Sequence, residues 1–363
     1  MTSQTRAGAL ACLHDYGYTP AVAQYFPPDQ PTRPARAVRV DRNRVLVATE
    51  HGLEGIALPG SLPDGPIVTG DWLRLELTAD GPRAVGILPR TSLLRRKDAH
   101  DGTDREQLLA ANADVVAAVV PVDRPLSENR LERTLVAIWD SGAVPLVVVT
   151  KADIVGMADD VVARLALDSG GAAVVTTAAS TGDGLDELAA HVPHGTTMAL
   201  LGPSGAGKST LVNALVGREV QSTGLVRVAD GRGRHTTTAR ELVPIPGGGV
   251  LLDTPGVRGF GLWNADAGLA ETFADIEQLA RRCRFSDCAH GSEPGCAVRG
   301  ALETGSLERR RWDSYTKMQR ELARLHRSQD VLARKEYSRA MQRRMNDRSE
   351  RDAYRRRAEG SRW

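Results

Sequence analysis

The sequence has few cysteines, few aromatic residues and no long apolar run. Four cysteines among 363 residues exclude a disulfide-stapled secreted scaffold. Aromatic residues make up 4% of the chain, and no apolar stretch approaches the ~20 residues that a membrane span needs. The N-terminal residues show no clear cleavable leader, so we expect a cytoplasmic protein without membrane contact. The remaining composition, 41% hydrophobic and 25% charged, is typical of a globular protein of two or three domains.

The formal net charge of +2 conceals an uneven distribution of charge along the chain. Residues 307–363 contain 18 Lys and Arg against 9 Asp and Glu, so the rest of the chain is slightly acidic. A basic end on an acidic body indicates a polyanionic partner, although a solvated charged helix would have the same composition.

The basic segment begins with a predicted amphipathic helix. Its apolar stripe, which is expected to pack on the preceding domain, comprises Trp312, Tyr315, Met318, Leu322 and Leu325. Its opposite face, which is expected to meet phosphate groups, carries Arg309, Arg310, Arg320, Arg324 and Arg327.

Composition and periodicity divide the chain into five segments. Residues 1–35 are rich in proline and predict a mostly disordered arm. Short β-type runs over 36–98 predict a small closed barrel, either the five-stranded nucleic-acid-binding OB-fold or an unrelated β adaptor. Strand–helix alternation over 105–265 predicts a parallel α/β sheet with helices on both faces. A helical region with a Cys/His cluster at 266–345 and a basic tail at 346–363 complete the chain.

The central segment contains a phosphate-binding signature, GPSGAGKS, which matches G-x-x-x-x-G-K-[ST]. It lies between an apolar strand and an amphipathic helix whose positive end would face an anion. The glycines let backbone N–H groups turn toward a phosphate, Lys208 brings a positive charge, and Ser209 offers a hydroxyl to Mg²⁺. The predicted phosphate-binding residues are Gly202, Pro203, Ser204, Gly205, Ala206, Gly207, Lys208, Ser209 and Thr210.

Two later segments carry groups suited to a γ-phosphate and its metal ion. Asp253-Thr254-Pro255-Gly256 ends an apolar strand, so the Asp253 carboxylate can hold Mg²⁺ through water and the Gly256 N–H can meet the phosphate. The glycine-rich run 231–238 can supply a threonine hydroxyl to the metal ion when a γ-phosphate orders it. We assign that role to Thr237, with Thr236 and Thr238 as the alternatives.

Two strand ends that precede the phosphate signature carry a pattern typical of guanine recognition. Thr150-Lys151-Ala152-Asp153 resembles the NKxD motif of GTP-binding proteins, with Thr in place of Asn. The Asp153 carboxylate can accept from the guanine ring N1–H and exocyclic amine, and Lys151 can lie along the base and ribose. The loop 177–180 resembles the SA-type loop that contacts the guanine carbonyl, and an ATP-binding site is the alternative interpretation of the pair. The predicted base-site residues are Thr150, Lys151, Asp153, Ala178 and Ala179.

The order of these motifs is the reverse of the usual one. In most GTP-binding proteins the phosphate signature comes first and the base motifs last, whereas here the base motifs precede it. We therefore predict a circularly permuted GTPase domain, in which the sheet is intact and only the chain ends have moved. The segment after Gly256 then leads directly into the C-terminal region, which ties a phosphate-sensing loop to that region.

Three cysteines and one histidine fall within 14 residues, as Cys283-x4-Cys288-x-His290-x5-Cys296. Three thiolates and one imidazole form a closed tetrahedral set, which is typical of a structural zinc site. In a reducing compartment zinc is favoured over a disulfide. The spacing lacks the C₂H₂ pattern, which argues against a transcription-type zinc finger.

Taken together, these motifs resemble the RsgA or YjeQ family of small-ribosomal-subunit-dependent GTPases. The resemblance rests on Gly202–Ser209, His235–Thr238, Asp253–Arg258 and the four metal ligands, and it covers nearly the whole chain. It implies an OB-fold near 36–95, a permuted GTPase domain and a zinc domain. It also implies GTP hydrolysis stimulated by the small (30S) ribosomal subunit, late maturation of that subunit, and contact with 16S rRNA. The alternative is a nucleotide-gated rRNA-binding assembly factor in which hydrolysis is secondary.

Val257 stands where Ras-like enzymes have the glutamine that orients the attacking water. We therefore expect slow GTP hydrolysis by the free protein, a monomer, with a partner supplying order or charge. The candidate catalytic residues are Lys208, which would meet the β/γ-phosphate oxygens, and His235, which would orient the water. A switch-loop contact of His235 with backbone or RNA is the alternative.

Overall fold

The computed structural model describes residues 11–97, 106–154, 161–165, 169–219, 240–253 and 265–328. In these ranges an 11-stranded sheet runs from a β-barrel into a helix-covered sheet, and a helical region follows. None of the helices in these ranges combines the length and apolar character needed to cross a membrane.

The N-terminal barrel consists of five antiparallel strands. They are β1 Arg33–Val40, β2 Arg44–Thr49, β3 Gly52–Ala57, β4 Trp72–Thr78 and β5 Gly81–Ile87. β1 pairs with both β2 and β4, β2 pairs with β3, and β4 pairs with β5, which is the strand order of an OB-fold. Val47, Ile56 and Leu73 point inward and fill the barrel. The sequence pattern did not predict β5, because Gly81, Pro82 and Gly86 obscure its alternation.

The predicted disordered arm is wrong for residues 11–32, which fold against the barrel, and residues 33–35 belong to its first strand. Two short helices precede β1: α1 Ala11–Asp15 and α2 Pro20–Ala23. Leu13 of α1 is fully buried in a cluster with Trp72 of the barrel. Proline does not prevent this fold, because Pro20 stands in the first helical turn, where its missing N–H would have no partner.

A second group of strands forms the sheet of the central domain. A hairpin of β6 Leu93–Lys97 and β7 Glu106–Ala111 leads into it, followed by β8 Val115–Pro121, β9 Val144–Thr150, β10 Ala173–Thr176, β11 Thr197–Leu201, β12 Glu241–Pro244 and β13 Val250–Asp253. The strand order is β10-β9-β8-β11-β13-β12. All neighbours are parallel except β12, which pairs antiparallel with β13. The sheet is therefore mixed at one edge, where the sequence predicted a wholly parallel sheet.

Helices cover both faces of this sheet, as predicted. They are α3 Glu128–Asp140, α4 Leu185–Ala190 and α5 Lys208–Val216, together with a helical stretch at 161–165. Along β8, Val116 and Ala118 point to the α3 face, whereas Ala117 and Val119 point to the α4 and α5 face. This doubly buried strand explains the continuous apolar run in the sequence.

The barrel and the central sheet join at β1 and β12. Arg39 pairs with Glu241 in the strand register, and their side chains form an ion pair at 3.3 Å. Beside this junction the fully buried Arg36 guanidinium donates to the Tyr16 carbonyl (2.6 Å) and to the Thr197 hydroxyl (2.7 Å). Desolvation lowers the pKa of Arg36 to about 10. The bonds of Arg36 connect the N-terminal helices, the barrel and β11.

The C-terminal region is helical. It contains α6 Asp266–Thr272, α7 Ala274–Ala280, α8 Ala297–Thr304 and a helix α9 over 309–328. Tyr315, Met318 and Leu322 of α9 are buried against Phe273 and Ile276. The predicted apolar stripe and its packing partner are therefore confirmed.

Candidate functional site

The phosphate signature forms the loop between β11 and α5, at the end of the sheet where the parallel strands terminate. Gly202 has no room for a side chain, because a Cβ there would come within 2.8 Å of the Val119 carbonyl oxygen. Gly205 and Gly207 have φ values of 75° and 87°, which favour glycine. Lys208 Nζ donates to the carbonyls of Gly202 and Pro203, both at 2.9 Å, so its ammonium group lies across the loop.

The Thr150–Asp153 loop follows β9 and contacts the phosphate loop directly. The buried Thr150 hydroxyl donates to the Ala206 carbonyl at 2.7 Å. Thr, which stands in place of the usual Asn, therefore makes a hydrogen bond between the two loops. Lys151 has a φ of 63°, which is uncommon for a residue with a side chain. Strained backbone of this kind is concentrated at functional sites.

The loop after β10 orients the predicted guanine-selecting carboxylate. Ser180 Oγ donates to Asp153 Oδ2 at 2.8 Å. Ala178 is buried and its N–H donates to the Asp183 carbonyl, so this N–H is not available to a guanine carbonyl. The Ala178 N–H is therefore engaged within the loop, whereas Ala179 is half-buried.

A third loop, between β8 and α3, lies beside the base and phosphate loops at the same end of the sheet. The sequence analysis did not predict its contribution to the site. Asp123 Oδ2 accepts from Lys151 Nζ at 2.6 Å, and Arg124 Nη1 donates to the Ser204 carbonyl at 2.9 Å. Asp123 thus contacts the base loop, and Arg124 contacts the phosphate loop. Their position directly after the strand β8 could have indicated them, because the carboxyl ends of adjacent parallel strands lie at the same edge of a sheet.

Two of the three predicted magnesium ligands lie at the same edge. Ser209 is the second residue of α5, and Asp253 ends β13, where it pairs in register with Leu200 of β11. A hydroxyl and a carboxylate are oxygen donors of the type that Mg²⁺ prefers. Thr237, His235 and Gly256 lie outside the described residues.

The four predicted metal ligands form one cluster in the C-terminal region. Their ligand atoms all lie within 4.8 Å of one another. Cys283 Sγ is 3.9 Å from Cys296 Sγ and 3.5 Å from His290 Nδ1, and Cys296 Sγ is 3.6 Å from the same nitrogen. Zn–S bonds of about 2.3 Å and Zn–N bonds of about 2.0 Å at tetrahedral angles require ligand separations of about 3.5–3.8 Å. The donor set and its spacing therefore fit a tetrahedral zinc ion.

The metal cluster also organises the backbone around it. Cys296 precedes α8, and its Sγ accepts from the Arg299 N–H in the first turn. His290 adopts a φ of 61°, and its ring meets Trp312 of α9 edge-on at 5.6 Å. The cluster thus connects the ligand loop to α8 and α9.

A buried ionic network joins the C-terminal region to α3. The Glu132 side chain is fully buried and accepts from Arg310 (3.0 Å), Arg311 (3.2 Å) and the Ser314 hydroxyl (2.6 Å). Burial raises the pKa of Glu132, although these hydrogen bonds and charges oppose the shift. Arg310 was predicted to face phosphate, but its ion pairs with α3 show that this prediction is wrong. No local pattern in the sequence could signal contacts between segments so far apart along the chain.

Comparison with a family model shows which known proteins share this arrangement. The family model described as "RsgA GTPase" matches residues 87–263. That range contains the base motifs, the phosphate signature and the segment through Val257, in the permuted order.

Curated relatives match over most of their own length. A "Small ribosomal subunit biogenesis GTPase RsgA" of Streptomyces coelicolor is 43% identical over 355 residues, which are 95% of this chain and 96% of that protein. The protein of the same description from Streptomyces avermitilis is 44% identical over 84% of this chain and 83% of its own.

Two solved structures are also similar. YjeQ from Thermotoga maritima matches with a TM-score of 0.58 and 28% identity, over 80% of this chain and 99% of its own. YloQ, described as a circularly permuted GTPase, has the same TM-score at 23% identity, over 80% of this chain and 95% of its own, and supports the fold.

Proposed function

Because the chain belongs to the RsgA family of GTPases, we propose that it binds the small (30S) ribosomal subunit and couples GTP hydrolysis to late maturation of that subunit. The activity itself, hydrolysis of GTP to GDP and phosphate, follows from the family. The observation that carries the site assignment is the bond from Thr150 to the Ala206 carbonyl. It sets the base loop against the phosphate loop, so that one nucleotide can contact both. The description of the two Streptomyces relatives as subunit biogenesis GTPases supports the partner.

In this proposal the base loops select guanine. Asp153, oriented by Ser180, accepts from the guanine N1–H and exocyclic amine. Lys151 lies along the base and ribose, and Asp123 fixes its ammonium group. Ala179 supplies the N–H for the guanine carbonyl. Adenine lacks these two donors, so against ATP the Asp153 carboxylate would lose both hydrogen bonds to the base.

The phosphate loop neutralises the triphosphate. The backbone N–H groups of Gly205, Gly207 and Lys208 would face the β-phosphate, and the Lys208 ammonium would exchange its contacts with the Gly202 and Pro203 carbonyls for phosphate oxygens. Ser209, Thr237 and Asp253 are the residues that would hold Mg²⁺. The ion would supply positive charge that offsets the negative charge of the phosphate groups during hydrolysis.

Hydrolysis by the protein alone is proposed to be slow. Val257 cannot orient water, and the prediction that His235 does so stays untested, since both residues lie outside the described ranges. Subunit binding is proposed to supply the missing order or charge. Contributions of this kind are worth about 10³–10⁵ in rate in other GTPases.

The metal centre is proposed to hold a structural Zn²⁺ through Cys283, Cys288, His290 and Cys296. Four protein ligands leave no open position for a substrate, so the ion would fix the fold rather than take part in hydrolysis. The barrel and the C-terminal arginines are proposed to contact 16S rRNA. With the ribosomal subunit as partner, the protein would act as a cytoplasmic monomer.

The decisive experiment measures GTP turnover with and without purified small subunits. We expect turnover to rise by orders of magnitude on addition of small subunits, and not on addition of large subunits. Lys208→Ala is the matched control, because it removes the phosphate-binding charge and should abolish both rates. Equal turnover with and without small subunits would contradict the proposal.

A further inference from the structure

Phe285 is an aromatic side chain held in solvent on the loop that carries the metal ligands. Its exposed fraction is 42%, although it stands between the ligands Cys283 and Cys288. Burying a phenylalanine ordinarily stabilises a protein, in proportion to the apolar area that leaves water. A ring that leaves this much of its surface in water gives the fold only part of that stabilisation.

The turn that presents Phe285 is fixed at both ends. The Arg284 N–H donates to the Gly295 carbonyl at 3.1 Å, and the Phe285 carbonyl accepts from the Cys288 N–H at 3.3 Å. The Arg284 stem packs against Gly295, where an added Cβ would lie 3.0 Å from the Arg284 Cβ. The ring is therefore presented in a preorganised position, which lowers the entropy cost of binding a partner.

Three arginines precede the ring within four residues, and Asp287 adds one exposed carboxylate two residues after it. The Arg284 guanidinium carbon lies 5.6 Å from the Phe285 ring centroid, a cation–π arrangement. Arg281 and Arg282, at the end of α7, are exposed like Arg284. Among the described residues, no carboxylate lies within ion-pair distance of these three arginines. The nearby Glu293 carboxylate is already used by the N–H groups of Ala289 and Gly291.

We infer that the Arg281–Phe285 turn binds an unpaired nucleotide of an RNA, with the base stacked on Phe285 and the backbone phosphates on the arginines. Exposed aromatic rings next to arginines are how proteins bind bases that have left a duplex. In a duplex both faces of each base are already covered, so the turn distinguishes single-stranded from double-stranded RNA. A protein partner that docked an apolar pocket on the ring would have to desolvate three arginines.

This inference deepens the proposed function and rests on it, because the RNA of the small subunit would supply the unpaired nucleotide. It is tested on the zinc-loaded full chain with a fluorescently labelled single-stranded RNA of about 12 nucleotides, within the range of known single-strand sites, and with a duplex of the same length. Wild-type protein is expected to bind the single strand more tightly. Phe285→Leu keeps an apolar side chain but removes the ring, and it should weaken single-strand binding by about tenfold. Phe285→Trp should restore or exceed wild-type affinity.

Salt dependence separates the arginines from the ring. Arg281→Gln with Arg282→Gln should flatten the dependence of log affinity on log salt by about one unit for each phosphate that is no longer neutralised. Phe285→Leu should leave that slope unchanged. Val144→Ala shortens a side chain that is 56% exposed at the start of β9, outside the barrel and the C-terminal region, and it should change neither quantity. Zinc content of each variant shows that the turn is folded.

The outcomes distinguish this inference from the proposed function. If small subunits stimulate wild-type GTP turnover but Phe285→Leu binds single-stranded RNA as well as wild type does, the inference is wrong and the function stands. If Phe285→Leu binds the single strand about tenfold more weakly than wild type while small subunits have no effect on turnover, the inference stands and the function is wrong. Equal wild-type affinity for single strand and duplex would also overturn the inference, as would failure of Phe285→Trp to bind the single strand.

Discussion

At the nucleotide site, groups from separate loops are held by hydrogen bonds between those loops, whereas at the metal centre four side chains of one 14-residue segment converge on one point. Thr150 bonds to Ala206 and Ser180 bonds to Asp153, each across two strand ends. The ligand loop between α7 and α8 has no strand to support it among the described residues. The first site is therefore built by the sheet, while the second would depend on the metal ion that we propose it holds.

Both regions nevertheless share one feature of the backbone. Lys151 and His290 each adopt a left-handed conformation, with φ of 63° and 61°, and Asn112 is the third such non-glycine residue among those described. Conformations of this kind cost about 1–3 kcal/mol and persist when the surroundings enforce them. At Lys151 the surrounding loops enforce it, and at His290 the cluster of ligands does.

Removing the metal should have the largest effect of the changes considered, and it should affect the two sites differently. Zinc binding to small structural sites is worth about 10–16 kcal/mol, so Cys296→Ser or a strong chelator should unfold the ligand loop and α8. GTP binding should persist, because the nucleotide site rests on the sheet. We expect subunit-stimulated turnover to disappear while GTP affinity stays within about threefold of wild type, as measured by turnover assay and by titration. An equal decline in both would show that the nucleotide site also depends on the metal.

The network between α3 and α9 tests how the two regions are joined. Glu132→Ala leaves Arg310 and Arg311 without their shared buried partner and should destabilise the protein by about 3–5 kcal/mol, seen as a lower thermal unfolding midpoint. The matched control is Glu321→Ala. This substitution removes the partly exposed ion pair between Glu321 and Arg133 in the same interface. It should lower the free energy of unfolding by less than about 1 kcal/mol. Similar shifts for both would contradict a buried network.

The smallest effect is expected inside the nucleotide site. Thr150→Val keeps the shape of the side chain but leaves the Ala206 carbonyl without its donor, which costs about 1–3 kcal/mol. Because the bond joins the base loop to the phosphate loop, GTP affinity should fall about tenfold. Thr177→Val removes another buried hydroxyl, whose acceptor is Val149 and not the phosphate loop. It should lower stability with little change in GTP affinity, as measured by calorimetry.

Features that depend on residues close together in the sequence were predictable. The phosphate signature, the Asp153 loop and the four metal ligands each depend on spacing within a few residues, and the strands of the central sheet have continuous apolar runs. Contacts between distant segments were not predictable. Glu132 looks like one more charge on an amphipathic helix, and only the fold brings it to Arg311. Asp123 likewise acquires its contact with Lys151 from strand adjacency.

Each error has its own physical reason. Proline-rich residues 11–32 predicted disorder because local propensity was the only information, whereas burial of Leu13 on the barrel decides the outcome. β12 runs antiparallel to β13 because only residues 245–249 join the two strands, which is too short for the crossover that a parallel pair needs.

Whether the base loops and the phosphate loop hold one guanine nucleotide is decided by titrating the protein with GTP and with ATP. We predict that GTP binds at least about 100-fold more tightly than ATP, because adenine cannot make the two charge-assisted bonds to Asp153. Asp153→Asn should remove that preference. Equal binding of GTP and ATP by the wild-type protein, or binding of neither, would contradict a shared guanine-nucleotide site.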